Sequence, residues 1–372
     1  MRFPNKICAL CLGLVLLPGC NTDNKAPLAK EDGNGQRTKA GESDSPDAIK
    51  AIEALATELK RDDEGYVIEV NFRGAAIDDG ALEHLGGLKR VRSVLLNDTD
   101  VTDDGMAAVG EVMTLQNLDL RGCNISDAGI AHLVGLSNLK ALRLSKKQGS
   151  SIDVSDDGLA HIAKLTNLKA LFLDKMWVSE VGLAKLDGLK KLEELYLAGT
   201  LAGDDAMAVV GQFPRLRKLR MSQTQITGEG MAHLVKLPQL QELDISECAG
   251  LSDDALSHLA ALKNLTRLNL WRVPVTDAGI AHLEGLTNMR WLNVDNTQLT
   301  NEGLKYLKGM TQLTFLHLGS TAVTDAGLND LEHLTALEDL KVTRTAVTQD
   351  GVDRLKKKLP NTAIELKYLG DR

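Results

Sequence analysis

The chain has 372 residues, of which 43% are apolar, 25% charged and only 3% aromatic, so leucine must supply most of its core. A chain of this length can make that core large. The formal charge is −8, and the longest basic run is Lys356-Lys357-Lys358. Nucleic acid is therefore disfavoured as a partner, because phosphate contact depends on Lys and Arg.

In chain order, the first segment lies outside any fold. Arg2 and Lys6 precede the apolar run "ICALCLGLVLL" at 7–17. That run suits the core of a signal peptide (1–19) and is too short to cross a bilayer as a helix. It ends in Leu17-Pro18-Gly19-Cys20, which resembles the lipobox of bacterial lipoproteins. The resemblance implies diacylglycerol transfer to the Cys20 thiol, cleavage before Cys20 and acylation of the new terminus. It also implies an exported protein anchored in a membrane, not a cytoplasmic one. Asn21 stands where an Asp would mark inner-membrane retention, which favours the outer membrane or periplasmic face. Two or three acyl chains anchor stably where one does not.

Residues 20–44 carry the lipidated Cys20 and then a polar stretch with a single Leu and no aromatic residue. Such a stretch buries too little apolar area to offset its ordering entropy. It is predicted to be a tether reaching on the order of 30 Å r.m.s.. Residues 45–65 are expected to cap the fold as a helix, with Ser45 as its cap and Pro46 at its first position. Ile49, Ile52, Leu55 and Leu59 would form its apolar face.

From 66 to 358 the chain repeats itself. "VTDAGIAHLEGLTNMRWLNV" (275–294) restates "ISDAGIAHLVGLSNLKALRL" (125–144). A small residue anchors each of twelve units: Ala81, Gly105, Gly129, Gly158, Gly182, Ala206, Gly230, Ala255, Gly279, Gly303, Gly327 and Gly351. Successive spacings are 24, 24, 29, 24, 24, 24, 25, 24, 24, 24 and 24. Each unit holds an "LxxLxL" phrase, whose last two leucines alternate with polar residues as in a strand. Apolar residues near helical spacing follow the anchor, as in Ile280, Leu283 and Leu286. A Thr or Ser before that segment can cap it, and an Asp in its first turn favours the dipole. The extra residues of the fourth unit fall in "SKKQGSSID" (145–153), a predicted protruding loop. Residues 359–372 offer a last short strand and a C-terminal cap.

The phrases "LDLRGCNISDAG" (118–129) and "LDISECAGLSDDA" (243–255) resemble leucine-rich repeats, more narrowly the cysteine-containing subclass of F-box proteins. Thr replaces that Cys at Thr99, Thr200, Thr224, Thr297, Thr321 and Thr345, which is similar to bacterial repeats with a "TxVTDAGL" phrase. The resemblance implies an α/β solenoid: a right-handed horseshoe of about 12 repeats, with a concave parallel sheet and convex helices. The Thr or Cys would point inward, where a hydroxyl can bond to loop backbone. About thirteen strands at ~4.8 Å would form an arc of roughly 58 Å. Of five cysteines, Cys8 and Cys11 leave with the signal and Cys20 is acylated. Cys123 and Cys248 lie five units apart, roughly 24 Å, beyond disulfide reach. They are expected to be buried thiols.

Residues flanking the strand leucines face the concave side in columns. One runs Glu242, Arg267, Trp291, Phe315, Asp339; the next contains Phe172, Tyr196, Arg220, Asp244, Asn269, Asn293, His317; Trp271 lies on a third. Trp, Tyr and Arg dominate protein interfaces. Two contact patches for a protein or peptide ligand are predicted, Phe172/Tyr196/Arg220 and Arg267/Trp291/Phe315/His317. The competing account is cross-strand pairing that only stabilises the sheet.

Histidines three residues after the anchors (His84, His132, His161, His233, His258, His282) are expected from repeat inheritance, since neighbouring units are too far apart to share a zinc. The Asp pairs lack the spaced oxygens of a calcium loop and are assigned to helix capping. No nucleophile elbow, phosphate loop or dinucleotide motif occurs. The sequence therefore predicts a non-enzymatic, membrane-tethered binding scaffold with no cofactor. Two alternatives remain. One is F-box-like substrate recognition, although no F-box is seen; the other is a self-associating structural envelope protein.

Overall fold

The computed structural model describes residues 43–146 and 152–367. The signal peptide, Cys20 and most of the tether expected from the sequence lie outside the described residues. So do residues 147–151 of the predicted loop and residues 368–372.

Fourteen strands join one sheet in chain order. They are β1 (Glu58–Arg61), β2 (Val67–Asn71), β3 (Ser93–Leu95), β4 (Asn117–Asp119), β5 (Ala141–Arg143), β6 (Ala170–Phe172) and β7 (Glu194–Tyr196). Then follow β8 (Lys218–Arg220), β9 (Glu242–Asp244), β10 (Arg267–Asn269), β11 (Trp291–Asn293), β12 (Phe315–His317), β13 (Asp339–Lys341) and β14 (Ala363–Glu365). From β2 onward every neighbouring pair is parallel and equivalent residues face each other, as in Leu171↔Leu195↔Leu219. The longer fourth unit does not disturb this register, since Leu142 still pairs with Leu171. This is the α/β solenoid horseshoe of a leucine-rich-repeat fold.

The reason is burial. In the unit at 275–294, Val275, Ile280, Leu283, Leu286, Met289, Leu292 and Val294 are all fully buried. One copy could not cover both its strand and its helical face, and stacking covers them against the next copy. The expected helices form as short α or 3-10 turns, such as Asp277–Ala281 and His132–Gly135. A 24-residue unit leaves little chain for more, and 3-10 turns suit short pieces. The inward hydroxyls meet backbone as expected. Thr224 donates to the Met221 carbonyl at 2.6 Å and Thr297 to the Val294 carbonyl at 2.7 Å. Cys123 takes the same place with its thiol 3.1 Å from the Leu96 carbonyl. Burial pushes that thiol up to about 11, so it stays protonated and unreactive.

The units are tied together by a carboxylate that the sequence reading gave only to capping. Thr276 donates its N–H (2.7 Å) and hydroxyl (2.6 Å) to the two oxygens of Asp253 in the preceding unit. The same hydroxyl accepts from the Ala278 N–H at 3.2 Å, capping its own helix. Asp79, Asp103, Asp127, Asp156, Asp204, Asp277 and Asp325 each hold the next unit in the same way. Asn301 does so through its carbonyl.

The N-terminal cap differs from the expected helix over 45–65. The helix spans Pro46–Glu53, capped by Ser45, and buries Ala48 and Ile52. Leu55 is exposed, and Leu59 lies on β1, which pairs antiparallel with β2. The open edge of a sheet presents unpaired N–H and C=O groups, which a strand satisfies and a helix cannot. The boundary with the tether also moves. Asp44, 6% exposed, accepts the N–H groups of Val67 and Lys89, both at 2.7 Å, and so clamps the cap to the first unit.

Candidate binding face

Each strand from β5 to β13 buries its central leucine and leaves the residues on either side half-buried on the concave surface. The backbone thus fixes which side chains become neighbours. On β5 to β8 the register places Arg143, Phe172, Tyr196 and Arg220 in one row. Phe172 and Tyr196 stack with centroids 4.2 Å apart and planes 11° from parallel. The Arg143 guanidinium lies 4.9 Å from the Phe172 ring centre. At the other end Arg220 is held by Asp174 at 3.1 Å, Asp244 at 3.3 Å and the Ser222 hydroxyl at 3.2 Å. Burial raises the Asp174 carboxyl above its usual range and the Arg220 charge opposes that shift. Burial, then Glu194 and Glu242, raises the Tyr196 phenol well above its ordinary value, so it presents a neutral O–H.

The second row lies on β10 to β12. The Arg267 guanidinium stands 3.5 Å from the Trp291 ring centre. Trp291 stacks on Phe315 at 4.8 Å and 5°. His317 meets Phe315 edge-on at 6.4 Å, and its Nδ1 is 4.0 Å from Asp295. Burial lowers the His317 imidazolium below its ordinary range while Asp295 pulls the other way, which leaves the ring neutral near pH 7. Between the rows Lys218 bridges Glu194 at 3.3 Å and Glu242 at 3.5 Å. Tyr196 and Trp291 are four strands apart, about 19 Å at ~4.8 Å per strand.

The structure therefore brings Phe172, Tyr196 and Arg220 together, and separately Arg267, Trp291, Phe315 and His317. Trp271 joins neither row. It is half-buried on the third column beside Arg272 (5.4 Å), which itself bonds Glu247 at 3.2 Å. Sequence reasoning missed Arg143. It occupies the same place in its unit as Phe172, but the 29-residue spacing hides the equivalence. The acidic partners Asp174 and Asp295 were missed too, since a column of residue types does not reveal which rotamers meet.

Each aromatic ring is stacked on a neighbour, and Arg220 is fixed by carboxylates. The rows are flat and half-exposed. Among the described residues no group of three or more His, Cys, Asp or Glu could hold a metal. No helix among them is long and apolar enough to cross a membrane.

Comparison with known proteins supports the architecture. A family model described as a leucine-rich repeat matches residues 113–134. No curated protein matches this chain. Among solved structures it is similar to an internalin from Listeria monocytogenes, with a TM-score of 0.63 and 20% identity over 88% of this chain and 96% of that one. It is also similar to a leucine-rich repeat protein from Leptospira interrogans, with a TM-score of 0.55 and 19% identity over 76% of this chain and 74% of that one. At such identities the likeness is one of fold.

Proposed function

We propose that the chain is a non-enzymatic scaffold whose concave face binds a protein or peptide partner. In this reading the scaffold stands outside the cytoplasm, tethered to a membrane through a lipid on Cys20. The observation that carries the binding role is the Arg267–Trp291–Phe315 stack, at 3.5 and 4.8 Å. A preorganised surface loses little side-chain entropy on binding. The tether rests on the sequence alone, on Leu17-Pro18-Gly19-Cys20 and the polar stretch after it. The F-box-like alternative has less support: between 43 and the first repeat the described chain holds only the helix Pro46–Glu53 and β1.

The test is crosslinking from native cells, comparing wild type with a Tyr196→Ala, Trp291→Ala, Phe315→Ala variant. One partner enriched by wild type and lost with the variant is the expected result. The same proteins recovered with both would make the rows structural only. Cys20→Ala is expected to release the protein or leave an uncleaved precursor; unchanged membrane retention and N-terminal mass would end the lipoprotein reading.

A further inference from the structure

A second surface lies on the flank of two neighbouring units that carry large apolar residues in the open. On the flank of several units, between strand and helix, one residue's N–H donates to the preceding unit; Leu201 bonds the Val178 carbonyl at 3.1 Å. Other units place a polar residue (Asp100, Asn124, Asp153, Gln225, Gln298) or a small one (Ala76, Gly250, Pro274, Ala322, Ala346) at this position. Two neighbouring units instead place Trp177 and Leu201 there, 60% and 56% exposed. Val181, one turn beyond Trp177, is 62% exposed. These are the three most exposed large apolar residues among the described ones.

The tie between units also fails here. Glu180, one methylene longer, stands in place of the Asp, and Gly203 replaces the Thr or Ser that would bind it. Gly203 caps its helix with no side chain. A shallow depression of about 410 Å³ lies beside it, bordered by Glu180, Leu201, Gly203, Asp204 and Asp205. Asp205 is exposed and Glu180 half-buried. Neither carboxylate has a cation within ion-pair reach among the described residues. Lys185, the nearby cation of the same helix region, is committed to the Asp156 carbonyl at 2.8 Å and Asp157 at 3.1 Å.

We infer that this flank is a docking site for a partner segment that carries a Lys or Arg beside apolar side chains. The apolar residues of the segment would cover Trp177, Val181 and Leu201. Its cation would enter the depression against Glu180 and Asp205. Local rules broken without a structural gain are expected at functional sites. The flank is separate from the concave rows and does not depend on their role.

The test uses the full chain and an array of 12-residue peptides. Each peptide carries two Lys or Arg residues and two Leu, Phe or Trp residues in varied order, and each has a twin with Glu in place of the cations. The expected result is a subset that binds at least tenfold more tightly than its twins and weakens as salt rises. Trp177→Asp with Leu201→Asp is expected to lose that binding at least tenfold at unchanged melting temperature. Glu180→Lys with Asp205→Lys is expected to turn the preference toward the acidic twins. The concave variant Trp291→Ala, Phe315→Ala is expected to keep the wild-type pattern. Equal binding of peptides and twins overturns the inference, as does loss with the concave variant but not the flank variants. A wild-type dimer that Trp177→Asp dissolves would assign the flank to a second copy instead, and also overturns it.

Discussion

Two kinds of junction hold this solenoid together, and their difference explains its glycines. At nine junctions an Asp or Asn of one unit bonds the Ser or Thr that opens the next helix, and the anchor of that next unit is Gly. At Gly129 a Cβ would overlap the Asp103 carboxylate, and at Gly279 that of Asp253. Two junctions lack the Asp or Asn. Glu180 precedes Gly203, Gly228 precedes Ser252, and the anchors there are Ala206 and Ala255. Ala stands at the anchor in both junctions where the Asp or Asn is missing, so the backbone does not demand glycine. The approach of an oxygen from the unit before demands it. Of the two weak junctions, the one at Gly203 carries the exposed Trp177, Val181 and Leu201.

The comparison can be broken most directly at a regular junction. Gly279→Ala is expected to cost about 1–3 kcal/mol by overpacking against Asp253, measured by chemical denaturation. Asp253→Ala added to it is expected to restore part of that loss despite forfeiting two hydrogen bonds. Strictly additive losses would show that carboxylate and glycine do not communicate.

A weak junction can be repaired. Gly228→Asp with Ala255→Gly is expected to build the missing tie to Ser252, for a gain of about 1 kcal/mol or less after the glycine cost. Gly228→Asp alone is expected to gain nothing, because Ala255 keeps its Cβ; an equal gain from the single change would contradict the packing account.

The smallest effect concerns charge. Hydrogen bonds from the Thr348 N–H and hydroxyl, then Arg354 at 2.9 Å, hold the Asp325 carboxyl below its usual range. A lowered folded value gives stability that is present above the unfolded value of about 4 and lost as pH falls through the folded one. Asp325→Asn is therefore expected to be somewhat less stable near pH 7 and to converge on wild type in acid melts below about pH 4. Asn301 shows that an amide fits the geometry. A difference that stays constant from pH 7 to 3 would remove the charge from the explanation.

Much of this could be read from residue order. A 24-residue period with "LxxLxL" places the same leucine at the same depth in every unit, and so sets strand positions, register and the inward Thr or Cys. It also names which residues share the concave columns, because equivalent residues of adjacent units pair. Tertiary structure alone decided three things. β1, not a longer helix, closes the sheet edge, since open backbone groups there need a strand. Asp44 belongs to the fold through two backbone N–H groups, 23 and 45 residues away. The Asp at the start of most helices serves the next unit as a hydrogen-bond acceptor, with partners mostly 23 residues on. Periodicity fixes a residue's place within its unit, and it does so locally. Which side chain then meets which is set by distances of a few ångströms between units, and those exist only once the units have stacked.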